Sequence, residues 1–230
     1  MTGSVYVQYG CGLSAPAGWL NFDASPRLRL ERVPGLGALL GASLGRLFPA
    51  SVRYGDIVRG LGLPDGAARA VYCSHVLEHL ARDDVPRALA NSYRLLAPGG
   101  VFRLVVPDLE WRAARYLEAR RAGAGDAADR LMEALELGTR RRASDPVSLL
   151  RQAFGRSRHC WMYDFAGLRA LLAEAGFVAI RRCALGDAAD PMFGAVEDPA
   201  RFQAGDAREL AIEAVRPPAD GVAELAPEER

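Results

Sequence analysis

The chain contains no lysine: all 29 of its basic residues are arginine, so a lysine nucleophile or Schiff base is excluded. Cysteine is scarce. Cys11, Cys73, Cys160 and Cys183 stand far apart and form no CxxC pair, which excludes a disulfide framework and a cysteine-based zinc site. An excess of one charge is missing as well. Net charge is +1, so no nucleic-acid partner is expected. Long apolar runs are absent: the most membrane-like stretch, residues 33–48, falls short of the ~20 residues a span needs and is broken by Arg46. No transmembrane segment is therefore expected. The N-terminus shows no basic stretch followed by an apolar run, so the expected location is cytoplasmic. What is present is a chain of 230 residues, half of them hydrophobic, enough for one well-buried domain over 1–216 followed by a flexible Pro-rich, acidic tail over 217–230.

Short apolar runs alternate with helical patterns, the signature of an α/β fold with a mostly parallel, doubly wound sheet. Strands are predicted at 5–9, 19–22, 52–55, 70–74 and 101–106, closed by two more at 177–183 and 209–215, seven in all. A helix is predicted after Asp84, which is placed to cap it, with Val85, Leu89, Tyr93 and Leu96 as its apolar stripe and Pro98-Gly99-Gly100 as its stop. Residues 109–158 read as an arginine-rich helical cap inserted after the fifth strand, interrupted at Gly123–Gly125 and Asp145-Pro146. A later helix follows Asp164 and ends at Gly176.

The chemistry gathers at predicted strand ends. Gly10-Cys11-Gly12 closes the first strand, and the second ends on Asp23. Glycines let a ligand approach the backbone, and an acid at the next strand tip can accept both hydroxyls of a ribose. Only 11 positions separate Gly12 from Asp23, too few for the helix of a dinucleotide fingerprint, which favours S-adenosylmethionine over NAD. Asp56 stands at the tip of the third strand as Asp23 does at the second. Either acid also reads as a simple turn residue, and Ser74 as a helix cap.

Four passages, Gln8-Tyr9-Gly10-Cys11-Gly12, Gly18 to Asp23, Ser74 to Leu80, and Leu95 to Gly100, resemble class I S-adenosylmethionine-dependent methyltransferases, specifically the group sharing the methyltransferase type 11 domain. A fifth, His159 to Asp164, looks like a segment common before the late helix of these proteins. The resemblance implies a Rossmann-like fold and S-adenosylmethionine as cofactor. It places Gln8, Gly10, Cys11 and Gly12 around the methionine moiety, Asp23 on the ribose, Asp56 on the adenine amino group with Ile57 against the ring, and Ser74 and His75 beside the sulfonium. Gln8 stands where such enzymes often carry an acid, and Ser14 where a third glycine is common.

His75-Val76-Leu77-Glu78-His79 matches the HxxEH pattern of zinc peptidases, but His75 falls at a strand-to-helix junction and no third ligand is evident, so no metal is expected. His159, His75 and Asp108 are the candidate general bases. Trp161 and Tyr163 read as packing residues or as an acceptor wall. Arg140-Arg141-Arg142, Arg151, Arg156 and Arg158 read as a solvated face or as a site for an anionic acceptor. The expected function is methyl transfer to a small molecule or glycan, on oxygen; the alternative is an inactive module that keeps the fold to bind cofactor or partner.

Overall fold

The computed structural model describes residues 5–33, 47–138, 158–204 and 207–219. Its strands are β1 (Val5–Tyr9), β2 (Trp19–Asp23), β3 (Arg53–Tyr54), β4 (Ala68–Ser74), β5 (Leu96–Pro107), β6 (Val178–Arg182), β7 (Gln203–Ala204) and β8 (Ala207–Val215). The sheet runs β3-β2-β1-β4-β5-β8-β6, with the two-residue β7 paired to β8 off this path. The first five strands of that order are parallel, and β8 lies antiparallel between β5 and β6. This is the seven-stranded, mostly parallel α/β architecture expected.

The helices are α1 (Pro26–Glu31), α2 (Val85–Leu95), α3 (Leu109–Arg121), α4 (Ala127–Ala134), α5 (Phe165–Glu174) and α6 (Pro199–Phe202). One sheet face, carrying Val7, Tyr9, Phe22, Val71, Cys73, Phe102 and Leu104, packs with Val85, Ala88 and Leu89 of α2 and Leu168 and Leu172 of α5. Each Val, Leu or Phe side chain among them contributes about 1.5–3 kcal/mol on leaving water. The opposite face buries Trp19, Ala70, Tyr72 and Val105 under Phe193 and Val196. Strands covered on both sides must be apolar almost throughout, which is why their few polar residues are informative.

Two expectations are corrected. Asp84 makes no side-chain cap to α2; it closes a preceding 3-10 turn, Arg82–Asp84, so the chain is already wound when Val85 is reached. Pro98-Gly99-Gly100 does not separate helix from strand either: α2 ends at Leu95, β5 begins at Leu96, and the three residues form an irregularity within β5, whose pairing with β4 jumps from Ala68↔Leu96 to Ala70↔Val101. Gly99 takes φ +76° there, a conformation that costs glycine little. Asp164 caps α5 as expected, accepting from Gly167 N at 2.7 Å.

Of the predicted cap, α3 and α4 are described, with the break between them at residues 122–126. Asp145-Pro146, Arg140-Arg141-Arg142, Arg151 and Arg156 lie outside the described residues, as do residues 34–46 of the membrane-like stretch and the tail from 220. Among the described residues no helix is long and apolar enough to cross a membrane.

Candidate active site

The carboxyl ends of β1, β2 and β3 form one rim. Cys11 N donates to Phe22 O at 3.1 Å and Gly55 N donates to Asp23 O at 3.1 Å, so the loops leaving these strands are stitched side by side. Gly10 and Gly12 both have left-handed φ, +65° and +55°. A Cβ on Gly10 would stand 2.2 Å from Val76 Cγ2, whereas a Cβ on Gly12 would meet nothing within 4 Å. The first glycine thus lets the loop press against the turn after β4, and the second leaves open space above it. Cys11 is buried, and burial first and the Asp23 carboxylate second push its thiol up to about 12, so its role is that of a neutral packed residue.

Asp23 is not the exposed tip that its position suggests: 8% of it is accessible, and it accepts from Gly12 N at 2.9 Å through Oδ2 and from Ser25 N at 2.7 Å through Oδ1. The acid clamps the glycine loop to the end of β2, and each carboxylate oxygen keeps a second lone pair for a ligand hydroxyl. Asp56 caps its own turn, accepting from Val58 N at 3.0 Å, and Ile57 beside it is buried at the same rim.

The sheet face beneath this rim carries a row of polar side chains in register. Asn21 pairs with Gln8, Gln8 with Tyr72, and Tyr72 with Arg103. Gln8 Oε1, Asn21 Oδ1, Tyr72 OH and, two residues farther along β4, Ser74 Oγ are buried without a well-formed hydrogen bond. Burial pushes the Tyr72 phenol well up, so it stays neutral. Buried polar atoms normally find partners; Tyr72 and Ser74 lean on each other, while Gln8 Oε1 and Asn21 Oδ1 have none, a pattern below a glycine loop that suits a polar ligand's seat. Arg103, by contrast, is saturated by Glu197, Asp187, Glu213 and the Ala184 carbonyl.

A second cluster lies past the end of β4. His75 takes φ +54°, an unusual value for a non-glycine residue. Its Nδ1 lies 3.0 Å from Glu78 Oε1 and its Nε2 lies 3.1 Å from the Arg201 carbonyl. Burial pulls this imidazole's pKa down, but the hydrogen bond to and charge of Glu78, helped by the Arg201 carbonyl and Glu209, outweigh it and raise the pKa overall. Glu78 is fully buried on a 3-10 turn, Leu77–His79. Its backbone carbonyl accepts from both Cys160 N and Trp161 N, at 2.6 and 3.1 Å, which fixes the segment carrying His159 against that turn. The rings of His79 and His159 consequently sit 5.1 Å apart.

Of the three candidate bases, His75 and His159 thus flank the same turn, joined through Glu78 and His79. Asp108 caps α3, accepting from Trp111 N at 3.2 Å, and lies 3.5 Å from Arg182 Nη1, so its carboxylate is committed. Tyr163 is buried, its hydroxyl unpartnered and its pKa pushed up to about 12, chiefly by burial. Trp161 is exposed and lines a 160 Å³ cavity with Arg82, Tyr163 and Leu171.

The sequence pattern of a methyltransferase domain matches residues 21–181. The chain belongs to the methyltransferase-domain family. A probable methyltransferase, ltbC, of Aspergillus luteorubrus is 36% identical over 63 residues, which are 26% of this chain and 22% of that protein. The chain thus matches about a fifth of that relative's length. Among solved structures, an S-adenosylmethionine-dependent methyltransferase from Archaeoglobus fulgidus is 16% identical at a TM-score of 0.47, covering 94% of this chain and 87% of the other. A possible histamine N-methyltransferase from Thermotoga maritima is 14% identical at a TM-score of 0.46, covering 94% and 83%. The CurJ carbon methyltransferase is 15% identical at 0.47, covering 94% of this chain and 49% of that one.

The cofactor of this methyltransferase domain is S-adenosylmethionine, and the rim suits it. A buried amide oxygen without a partner, Gln8 Oε1, is a ready acceptor for an ammonium group, and open space lies above Gly12 near the acids Asp23 and Asp56 at successive strand ends. Sequence reasoning missed Asn21, Tyr72 and the depth of Glu78. The available signal was a polar residue flanked by apolar ones within each strand, Asn21 in WLNFD and Tyr72 in ARAVYCS, at the level of Gln8.

Proposed function

We propose that the chain is a methyltransferase that acts on a hydroxyl of a small molecule or glycan. The observation that carries the reading is the convergence of Gln8, Gly12, Asp23 and Asp56 on one rim over unpartnered buried polar atoms, beside a histidine and carboxylate cluster. S-adenosylmethionine supplies a methyl group already activated on a sulfonium, so the chain's own task is to align an acceptor, exclude water and manage one proton.

Gln8 Oε1 would accept from the methionine ammonium, Asp23 from the ribose hydroxyls and Asp56 from the adenine amino group, with Ile57 against the ring. Ser74 and His75, leaving the end of β4, would border the reacting atoms. An oxygen acceptor loses its proton during transfer, which suits a site where His75, His79 and His159 stand around one buried carboxylate. Gln8 in place of an acid weakens the grip on the ammonium without abolishing it, because an amide oxygen accepts the same hydrogen bond without the charge.

The test is a thermal-shift and calorimetric comparison of S-adenosylmethionine, S-adenosylhomocysteine and NAD on the full chain, followed by product release over a panel of sugar and small-molecule hydroxyl acceptors. Stabilisation by the first two ligands alone, with S-adenosylhomocysteine formed in the presence of a hydroxyl acceptor, is expected. Stabilisation by NAD alone overturns the cofactor reading; saturable cofactor binding without turnover on any acceptor favours a binding module.

A further inference from the structure

The HxxEH pattern does not form the peptidase arrangement: Leu77–His79 is a 3-10 turn and His75 turns back onto Glu78. Another histidine takes the place that His75 leaves. One ligand atom from each of Glu78, His79 and His159 lies within 4.8 Å of the other two. We propose that these three residues bind a divalent transition metal, a site the sequence did not lead us to expect.

Three observations make this a built site. First, the two histidines are set in one tautomer. His79 Nδ1 lies 3.1 Å from the Arg158 carbonyl and His159 Nδ1 lies 2.7 Å from the Leu135 carbonyl. A carbonyl only accepts, so each Nδ1 carries a proton and each Nε2 is the nitrogen left for a metal, that of His159 lying 3.7 Å from the exposed Glu136 carboxylate. Backbone carbonyls holding the outer nitrogen are the usual support of metal-bound imidazoles.

Second, Glu78 is wholly buried; its Oε1 is paired with His75 Nδ1 at 3.0 Å, and its Oε2 has no hydrogen-bond partner among the described residues. A buried carboxylate with only one oxygen engaged is costly, and a cation between it and two imidazoles reduces that cost. His75 on Oε1 then plays the part of an outer-shell donor to a ligating carboxylate. Third, the backbone forces the convergence: Cys160 N and Trp161 N both donate to the carbonyl of Glu78 itself, bringing His159 to its partners from 80 residues away.

Two imidazole nitrogens and one carboxylate suit zinc, manganese or iron(II) rather than magnesium or calcium. Donors about 2.0–2.2 Å from an ion stand about 3–4 Å apart, so side-chain rotations of about an ångström close the set. Three protein ligands leave coordination positions open for a further ligand. An acceptor bearing one or two hydroxyls is the ligand that fits there, and this use, unlike the metal site itself, rests on the methyl-transfer reading above.

The experiment loads the chelator-stripped full chain with Co²⁺, Zn²⁺ or Mn²⁺ alone, in wild type, His159→Ala and Glu78→Gln. Metal per chain is measured after dialysis, and Co²⁺ is followed by its visible absorption. The wild type is expected to take one equivalent, with Co²⁺ bands that Zn²⁺ displaces, and each variant to lose at least tenfold in affinity. Glu78→Gln keeps the shape of the buried side chain, and His159→Ala changes a residue on the outer segment, so the two test the same site with different demands on folding. Failure of the wild type to retain metal, or wild-type affinity in both variants, overturns the proposal. S-adenosylhomocysteine stabilisation is measured on the same samples: its loss with metal binding intact counts against methyl transfer alone, and its presence without metal binding counts against the metal site alone.

Discussion

Asp23→Ala is the most informative single change, because the structure gives that carboxylate two tasks. It accepts charge-assisted hydrogen bonds from Gly12 N and Ser25 N at 2.9 and 2.7 Å while nearly buried. Removing it leaves two backbone donors to find water at a partly closed rim, at about 1.5 kcal/mol each, or about 3 kcal/mol in all. For a chain of this size that lowers the melting temperature of the unliganded protein by about 6–12 °C. If Asp23 also receives the ribose hydroxyls, cofactor affinity falls by a further factor of about a hundred, near 3 kcal/mol. Asp23→Asn separates the two tasks: its single carbonyl keeps one backbone donor, so stability should fall about half as far while cofactor binding stays severely weakened. Differential scanning calorimetry of the unliganded variants and titration with S-adenosylhomocysteine give both numbers. A melting temperature within 2 °C of wild type together with a Kd within threefold refutes the clamp and the ribose contact alike.

Gly10→Ala should abolish cofactor binding by calorimetry, since its Cβ would meet Val76 Cγ2 at 2.2 Å; adding Val76→Ala should restore part of it, the left-handed φ of +65° still costing about 1 kcal/mol. No rescue would locate the defect elsewhere. Glu197→Ala strands the fully buried Arg103 guanidinium, 2.7 Å from it, against one fewer carboxylate and should lower the melting temperature by on the order of 10 °C; a drop below 3 °C would show that Asp187 and Glu213 suffice. Asp187 is held down to about 2: burial works against this, but hydrogen bonds from Arg181, Ala184 N and Arg103 prevail. A depressed carboxylate pKa stabilises the fold above pH about 4, and that contribution is lost as pH falls towards 2, so Asp187→Asn should flatten the acid limb of urea-unfolding stability over that window. An unchanged limb would place the acid sensitivity in other groups.

The fold was legible because parallel strands covered on both faces must be apolar runs, and β1, β2 and β4 stand out as such against amphipathic helices. Boundaries set by tertiary pairing were not. Pro98-Gly99-Gly100 reads locally as a stop between elements, yet the pairing of Leu96 with Ala68 draws the chain into the sheet before the proline and leaves the three residues as a bulge. The rim was legible for a related reason: Asp23 and Asp56 follow short strands, and strand ends are where a parallel sheet exposes backbone polar groups to a ligand. Its burial was not legible, because the Gly12 and Ser25 amides that close over Asp23 are brought there by loop geometry that no side-chain pattern encodes.

The histidines show most clearly what sequence spacing can and cannot carry. Within His75-Val76-Leu77-Glu78-His79 the spacing suggests one helical face, and on that face His75 and His79 would be the pair. The chain instead leaves β4 with His75 N bonded to Val105 O and φ at +54°, which turns the His75 ring onto Glu78 and leaves His79 on the following 3-10 turn. A partner for His79 then has to come from outside the motif, and the amides of Cys160 and Trp161, bonded to the Glu78 carbonyl, deliver His159. A local motif therefore fixed which side chains were available, while two backbone hydrogen bonds spanning about 80 residues decided which of them meet. The same two bonds make the cluster depend on the segment that also carries Trp161 and Tyr163, so any acceptor that moves this segment also moves one of the three donors.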